Sequence, residues 1–209
     1  MSLHPEILSR TQRAVLKRLG PLAQSEQFYM AGGTALALRL GHRRSVDFDW
    51  FTTEALAEPL NLAQRFRDLG LPLVTRSTAR RTLHGTVSGV RVSFLEYRYA
   101  LLGDTSELDG FGCRLASIDD LACMKLSAVS QRGSKKDFVD IYFLIQSGLN
   151  LESMLQLFQK KFAVRDAGRV LYSLTYFDDA DRERMPKMLR PLKWDQVKTS
   201  LRNWARQVE

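Results

Sequence analysis

Cysteine is scarce: the chain has two in 209 residues, Cys113 and Cys123. Two thiols at that spacing make neither a disulfide framework nor a metal-ligand motif, and such usage fits a reducing compartment. Long apolar runs are missing too. None approaches the roughly 20 residues that cross a bilayer, so no membrane association is expected. The opening stretch has no apolar signal core. Instead, Ile7, Val15, Leu16 and Leu19 recur there at helical spacing. A cytoplasmic protein is the expectation. Internal repeats, low-complexity tracts and obvious linkers are also lacking. So is an acidic balance: 31 Lys and Arg face 23 Asp and Glu, a formal net charge of +8. A basic excess favours polyanionic partners through attraction and counterion release, although a solvated basic surface accounts for the charge equally well.

The pattern along the chain alternates strand and helix signals, then turns helical. A first helix is expected from His4 to Gln24. The short apolar run Phe28–Ala31 ends in Gly32-Gly33 and reads as a buried strand. Thr34–Leu40 is rich in helix formers, with Thr34 as its expected N-cap and Gly41 as its end. Ser45–Phe51 alternates like a strand, with Val46, Phe48 and Trp50 on one face and Asp47 and Asp49 on the other. A helix over Pro59–Leu69 follows. Strands are expected over 73–77, 82–87 and 90–97, the last two joined by a Ser88-Gly89 turn. From Ser117 onward the sequence reads as helices, including 117–131 and 135–146. The expected fold class is therefore α/β (α+β): a mixed sheet flanked by helices over residues 1–115, then a helical part over 116–209 packing on it.

The stretch GGTALALRLGHRRSVDFDWF carries the chemistry. Gly32 and Gly33 let backbone approach a ligand where a helix presents unpaired N–H groups to an anion, and Thr34 adds a hydroxyl there. Asp47 and Asp49, two apart on a strand, share a face. Two hard oxygen donors suit Mg²⁺ (or Mn²⁺), which is commonly held by one or two carboxylates plus substrate phosphates. Singly, an Asp-x-Asp pair or a Gly-Gly turn is commoner as structure than as function. In strand–turn–helix–strand order they point together to phosphoryl or nucleotidyl transfer.

Further on, Lys125 falls in the apolar stripe of its helix, and Arg132 extends that face. A buried lysine needs a partner; a phosphate and a nearby carboxylate serve equally. The following helix, nearly apolar all round, carries Asp137 and Asp140 on one face. Buried carboxylates need cations, with Lys125, Arg132 or Arg44 available, so a structural ion-pair network is a strong alternative to a ligand site.

These residues resemble the AbiEii/AbiGii toxin-type nucleotidyltransferases of the DNA polymerase β-like superfamily. Gly-Gly-Thr-Ala-Leu-Ala-Leu with Arg44-Ser45-x-Asp47-x-Asp49 is similar to the family's first motif, Lys125 with Ser130 and Arg132 to its third, and Asp137 and Asp140 to its fourth. The likeness spans about residues 28–145. It implies a nucleotidyltransferase-like fold and a Mg²⁺-dependent transfer from an NTP to an RNA, such as tRNA, or a protein hydroxyl. Asp47 and Asp49 would hold the metal, Lys125 would act on the phosphates, and Gly32, Gly33, Thr34, Arg44, Ser45, Arg132, Asp137 and Asp140 would bind nucleotide. It further implies the toxin of a toxin–antitoxin or phage-defence pair, with a helix-turn-helix antitoxin as partner. One departure stands out. Polymerase β-like enzymes carry a third carboxylate on a later strand, where this chain has Ser93; Glu96 has the opposite strand parity. That leaves open a non-catalytic nucleotide- or partner-binding module on the same fold, or a kinase-like transfer. His84 reads as a surface or packing residue, and His42 as a weak phosphate candidate. The basic stretch Arg182, Arg184, Lys187, Arg190 and Lys193 suits an RNA backbone or plain solvent.

Overall fold

The computed structural model describes residues 3–208. A short 3₁₀ turn, Pro5–Ile7, precedes helix α1 (Arg10–Ser25). The helix starts later than its apolar spacing suggested because Ser9 and Gln12 close a reciprocal capping box, each side chain bonding the other's backbone N–H. Strand β1 (Tyr29–Ala31) runs directly into α2 (Gly32–Leu40), which Gly41 ends in a left-handed conformation. Thr34 is not the cap; that place belongs to Ala31, which offers no side-chain acceptor. Then come β2 (Phe48–Thr52), α3 (Pro59–Asp68), β3 (Leu73–Ala79), β4 (Thr82–Val87) and β5 (Val90–Glu96). Two short strands absent from the sequence expectation, β6 (Ser106–Leu108) and β7 (Cys113–Leu115), complete the sheet. The helices α4 (Ile118–Arg132), α5 (Lys135–Gln146), α6 (Leu151–Phe162), α7 (Gly168–Ser173), α8 (Asp178–Asp181) and α9 (Trp194–Arg206) follow. Ser117 caps α4 through the Asp120 N–H, as expected.

The sheet is mixed, in the order β3-β4-β5-β2-β1-β7-β6. β2 pairs in parallel with β5 and antiparallel with β1, and β4 and β5 form a hairpin. Its turn residues, Ser88 and Gly89, both have positive φ, as a two-residue turn matched to strand twist requires. Alternation then divides the sheet into two unlike faces. Phe48, Trp50, Leu83, Val92 and Phe94 are fully buried on one face. The ring centroids of Phe28, Trp50 and Phe66 lie 5.2, 6.4 and 5.1 Å from that of Phe94. Residues of opposite parity, Asp49 and Phe51 on β2, Ser93 and Leu95 on β5 and His84 on β4, look into a cleft. Val46 departs from the expected alternation. It precedes β2 and is 61% exposed, because the strand begins only at Phe48.

One hydrophobic cluster runs from Ile7 to Leu201 and takes in residues of the sheet and of the later helices. The chain beyond α8 returns to the first half. Met188 makes a bridge with Arg43, the Arg44 N–H bonds the Lys187 carbonyl at 2.8 Å, and the Leu189 and Arg190 N–H groups both bond the His42 carbonyl. This strap lies across the link between α2 and β2. Among the described residues, no helix is long and apolar enough to cross a membrane.

The aromatic layer under the cleft floor fixes the height of β5. Phe94→Ala is expected to cost about 3–5 kcal/mol, read as a lowered urea midpoint with little change in slope.

Candidate active site

The cleft is open, with a volume of about 1020 Å³. Its floor is the polar face of β2, β5 and β4. One wall is a single face of α4, where Leu121, Lys125, Ala128 and Arg132 fall one turn apart. Gly32 and Gly33 bring the start of α2 to its side, and Pro186 and Lys187 of the strap form the rim. Seven cations line it (Arg43, Arg44, Arg91, Lys125, Arg132, Lys136 and Lys187) against the two carboxylates of Asp47 and Asp49. Such walls focus a positive potential on a polyanion.

Both glycines are dictated by their neighbours. Gly32 has φ of +69°, and a Cβ there would stand 2.6 Å from Asp49 Oδ2. A Cβ on Gly33 would stand 2.8 Å from Arg43 Nη2 and 3.2 Å from Ser45 Oγ. With no side-chain cap on α2, its first N–H groups remain available to an anion at the cleft.

Asp47 sits just ahead of β2. The Thr34 hydroxyl donates to its carbonyl, so Thr34, fully buried, positions the loop and does not line the cleft. The Asp47 carboxylate accepts two bonds from Arg91, Nε at 2.5 Å and Nη2 at 3.0 Å. Asp49 lies in register with Ser93. Burial, then the charge of Asp47, pushes the Asp49 carboxyl up; the Ser93 hydroxyl and the charges of Lys125 and Lys136 act against that. A carboxylate so poorly compensated, with a second one beside it, is the donor set a hard divalent cation fits. No group of three or more His, Cys, Asp or Glu able to hold a metal is gathered among the described residues, so further ligands would be substrate oxygens.

Behind the α4 wall lies a buried ion network. Lys125 Nζ is 2.9 Å from Asp137 Oδ1 and 2.6 Å from Asp140 Oδ2. Arg43 grips Asp140 with Nε at 2.7 Å and Nη2 at 2.8 Å. Arg132 grips Asp137 at 2.8 and 3.0 Å. His42 Nε2 lies 2.8 Å from the Asp140 carboxylate. Burial works to raise both carboxyls, but Lys125 with Arg43 at Asp140, and Lys125 with Arg132 at Asp137, hold them below the usual range. Burial drives the His42 ring down, with Asp140 acting against it.

Of the residues singled out from the sequence, Gly32, Gly33, Arg44, Ser45, Asp47, Asp49, Lys125 and Arg132 meet around the cleft. Asp137 and Asp140 do not line it; they stand behind, holding the cations. Arg44, offered as one of their partners, instead donates to the Ile7 carbonyl. Its neighbour Arg43 takes that place, and no periodicity in the Gly41–Arg44 link could have separated the two arginines. His42 is fully buried on Asp140 and does not reach the cleft. Glu96 supplies no third acid. It pairs with Arg81 and Arg98 and accepts the Leu56 N–H. Arg91 was not singled out from the sequence; His84 is a surface residue as expected, on the cleft face of β4 with Nδ1 3.1 Å from Ser93 Oγ.

A family model described as "Nucleotidyl transferase AbiEii toxin, Type IV TA system" matches residues 14–109 and 90–205. An uncharacterized protein of Aquifex aeolicus (strain VF5), aq_aa25, is 37% identical over 198 residues, which cover 91% of this chain and 92% of that one. JHP933 from Helicobacter pylori resembles it in structure with a TM-score of 0.55 at 18% identity, over 99% of this chain and 93% of that one. MenT4, the nucleotidyltransferase toxin Rv2826c from Mycobacterium tuberculosis H37Rv, gives 0.53 at 15% identity, over 94% and 82%. At such identities the structures speak to the fold, and the fold is nucleotidyltransferase-like.

Two stability measurements test the electrostatics. Asp137 and Asp140 titrate lower in the folded chain than in the unfolded one. Their contribution is therefore complete above the unfolded carboxyl range, near pH 4, and is lost as pH falls through their folded values. Asp140→Asn leaves Arg43 and Lys125 undercompensated; it should cost about 3–5 kcal/mol at neutral pH and flatten the acid limb of a stability–pH curve. Asp49 has the opposite sign: its carboxyl is raised by folding, so its charge opposes folding at neutral pH and ceases to do so in acid. Asp49→Asn should raise the melting temperature by a few degrees at pH 7, a gain that disappears as pH falls.

Proposed function

Since the chain belongs to the nucleotidyl transferase AbiEii toxin family, we propose that it moves a nucleoside monophosphate from a nucleoside triphosphate to a hydroxyl group in the cleft at Asp47 and Asp49. One observation carries this reading: the paired carboxylates share a basic cleft with an uncapped, glycine-lined helix start. Asp47 and Asp49 would hold Mg²⁺ (or Mn²⁺), which when bound neutralises phosphate charge. The N–H groups at the start of α2 receive phosphate oxygens. Lys125, Arg132 and Lys136 on the opposite wall offset the remaining charge, in a reaction that depends mainly on positioning and electrostatics. Arg91 must release Asp47 for the metal and is then free to meet a phosphate itself.

The acceptor in this reading is RNA, with tRNA the first candidate, drawn by the cations of the cleft and of the strap. The protein acts as the toxin of a toxin–antitoxin or phage-defence pair, and its partner is a helix-turn-helix antitoxin. A second reading, a nucleotide-binding module without catalysis, is favoured by Arg91 occupying both Asp47 oxygens and by Ser93 standing where a third carboxylate would serve.

Incubation with α-labelled nucleoside triphosphates, Mg²⁺ and either total tRNA or a lysate protein fraction separates the two. Transfer of label to RNA or protein, lost by at least about 10²-fold in Asp47→Ala, supports the transferase. Triphosphate binding with no transfer under Mg²⁺ or Mn²⁺ supports the module. The added mass, nucleotide or lone phosphate, excludes or identifies a kinase-like reaction.

A further inference from the structure

We infer that His84 is the proton acceptor for the attacking hydroxyl, an assignment that rests on the transferase reading above. An acceptor hydroxyl must lose its proton as it attacks, and a neutral base in the cleft is suited to take it. The titratable groups lining the cleft are the seven cations, two carboxylates and His84. The cations have no lone pair to offer while charged. Asp47 and Asp49 are the pair suited to a metal in the transferase reading, which takes up their lone pairs. Asp137 and Asp140 are sealed behind α4, fully buried and bonded to Lys125, Arg43 and Arg132. His84 remains. It is exposed on the cleft floor, in the same cross-strand row as Ser93 and Asp49.

The row also orients the ring. Nδ1 lies 3.1 Å from Ser93 Oγ, and the Ser93 hydroxyl in turn favours the charged form of Asp49. In the tautomer whose Nδ1–H donates to Ser93 Oγ, the lone pair resides on Nε2. Arg76 on β3 and Arg91 on β5 line a second hollow with His84, alongside Asp47 and Asp49, and so bring positive charge to the side where a polyanionic acceptor would pass. In the step, the hydroxyl proton goes to His84 Nε2 and the oxygen lone pair forms the bond to the α-phosphorus. The bond from that phosphorus to the bridging oxygen breaks, and its electron pair leaves on pyrophosphate. The imidazolium then returns its proton to water.

The test uses the full chain with α-labelled triphosphates, Mg²⁺ and the total tRNA and protein fractions as acceptors. His84→Ala should lower kcat by about 10²–10⁴-fold and leave KM for the triphosphate unchanged, and added imidazole should restore turnover in proportion to its concentration. His84→Gln keeps a donor to Ser93 but has no basic nitrogen, so it should be as slow as the alanine variant. Binding of a non-hydrolysable α,β-methylene triphosphate should be the same in all three proteins. Parental turnover in either variant, an active glutamine variant beside an inactive alanine one, or loss without imidazole rescue would each overturn the assignment. Failure of the parent protein itself to transfer label overturns the transferase reading instead, and is distinguished by the parent lane alone.

Discussion

Two fully buried carboxylates on α5 and the cations gathered on them are the constraint from which the site's geometry follows. Isolated charges in an apolar interior are strongly unfavourable. Asp140 therefore fixes Arg43 and Lys125 in one arrangement, through both oxygens, and Asp137 fixes Lys125 and Arg132. Arg43 comes from the link between α2 and β2, Lys125 and Arg132 from α4. The network thus joins the two walls of the cleft through α5, which itself reaches the cleft with Lys136. Arg43 also sets how near the α2 start can approach: its guanidinium stands where a Gly33 side chain would be.

The sheet contributes the second half of the design. Its period of two gives Asp49, Ser93 and His84 one face and Phe48, Trp50 and Phe94 the other. The register is strongly determined, since a slip of one residue would send Trp50 into the cleft and Asp49 into an aromatic core. The polar character of the floor is thereby secured by the hydrophobic effect on its underside.

Much of this was legible in the chain because it depends on local rules. The β2 alternation at Phe48–Phe51, the Ser117 cap, the Ser88-Gly89 turn and the limits of α5 are all short-range signals, and the structure follows them. That Glu96 has the opposite strand parity to Ser93 was legible too, whereas the register that sets Ser93 beside Asp49 was not. What was not legible lies in irregular backbone or in long-range pairing. Whether Arg43 or Arg44 faces Asp140 depends on a link with no period. Arg91 meets Asp47 only because β5 lies beside β2, and His84 joins the row only through the β4–β5 register. The strands β6 and β7 are too short to show a pattern, and they exist because the edge of β1 offers β7 a partner. Thr34 looked like a cap because its residue type favours one; the chain instead enters α2 straight from β1, one turn earlier.

The strap at residues 186–190 has a consequence for the chain's synthesis. Lys187 and Pro186 are the last cleft-lining residues to leave the ribosome, and they reach back to His42, Arg43 and Arg44. Until they arrive, the carbonyl of His42 and the N–H of Arg44 lack these partners, and one rim of the cleft is missing. Every strand of the sheet and every member of the buried ion network precedes this strap in the chain. Completing the cleft from its most C-terminal wall thus makes one of its rims the last part of it to be synthesised.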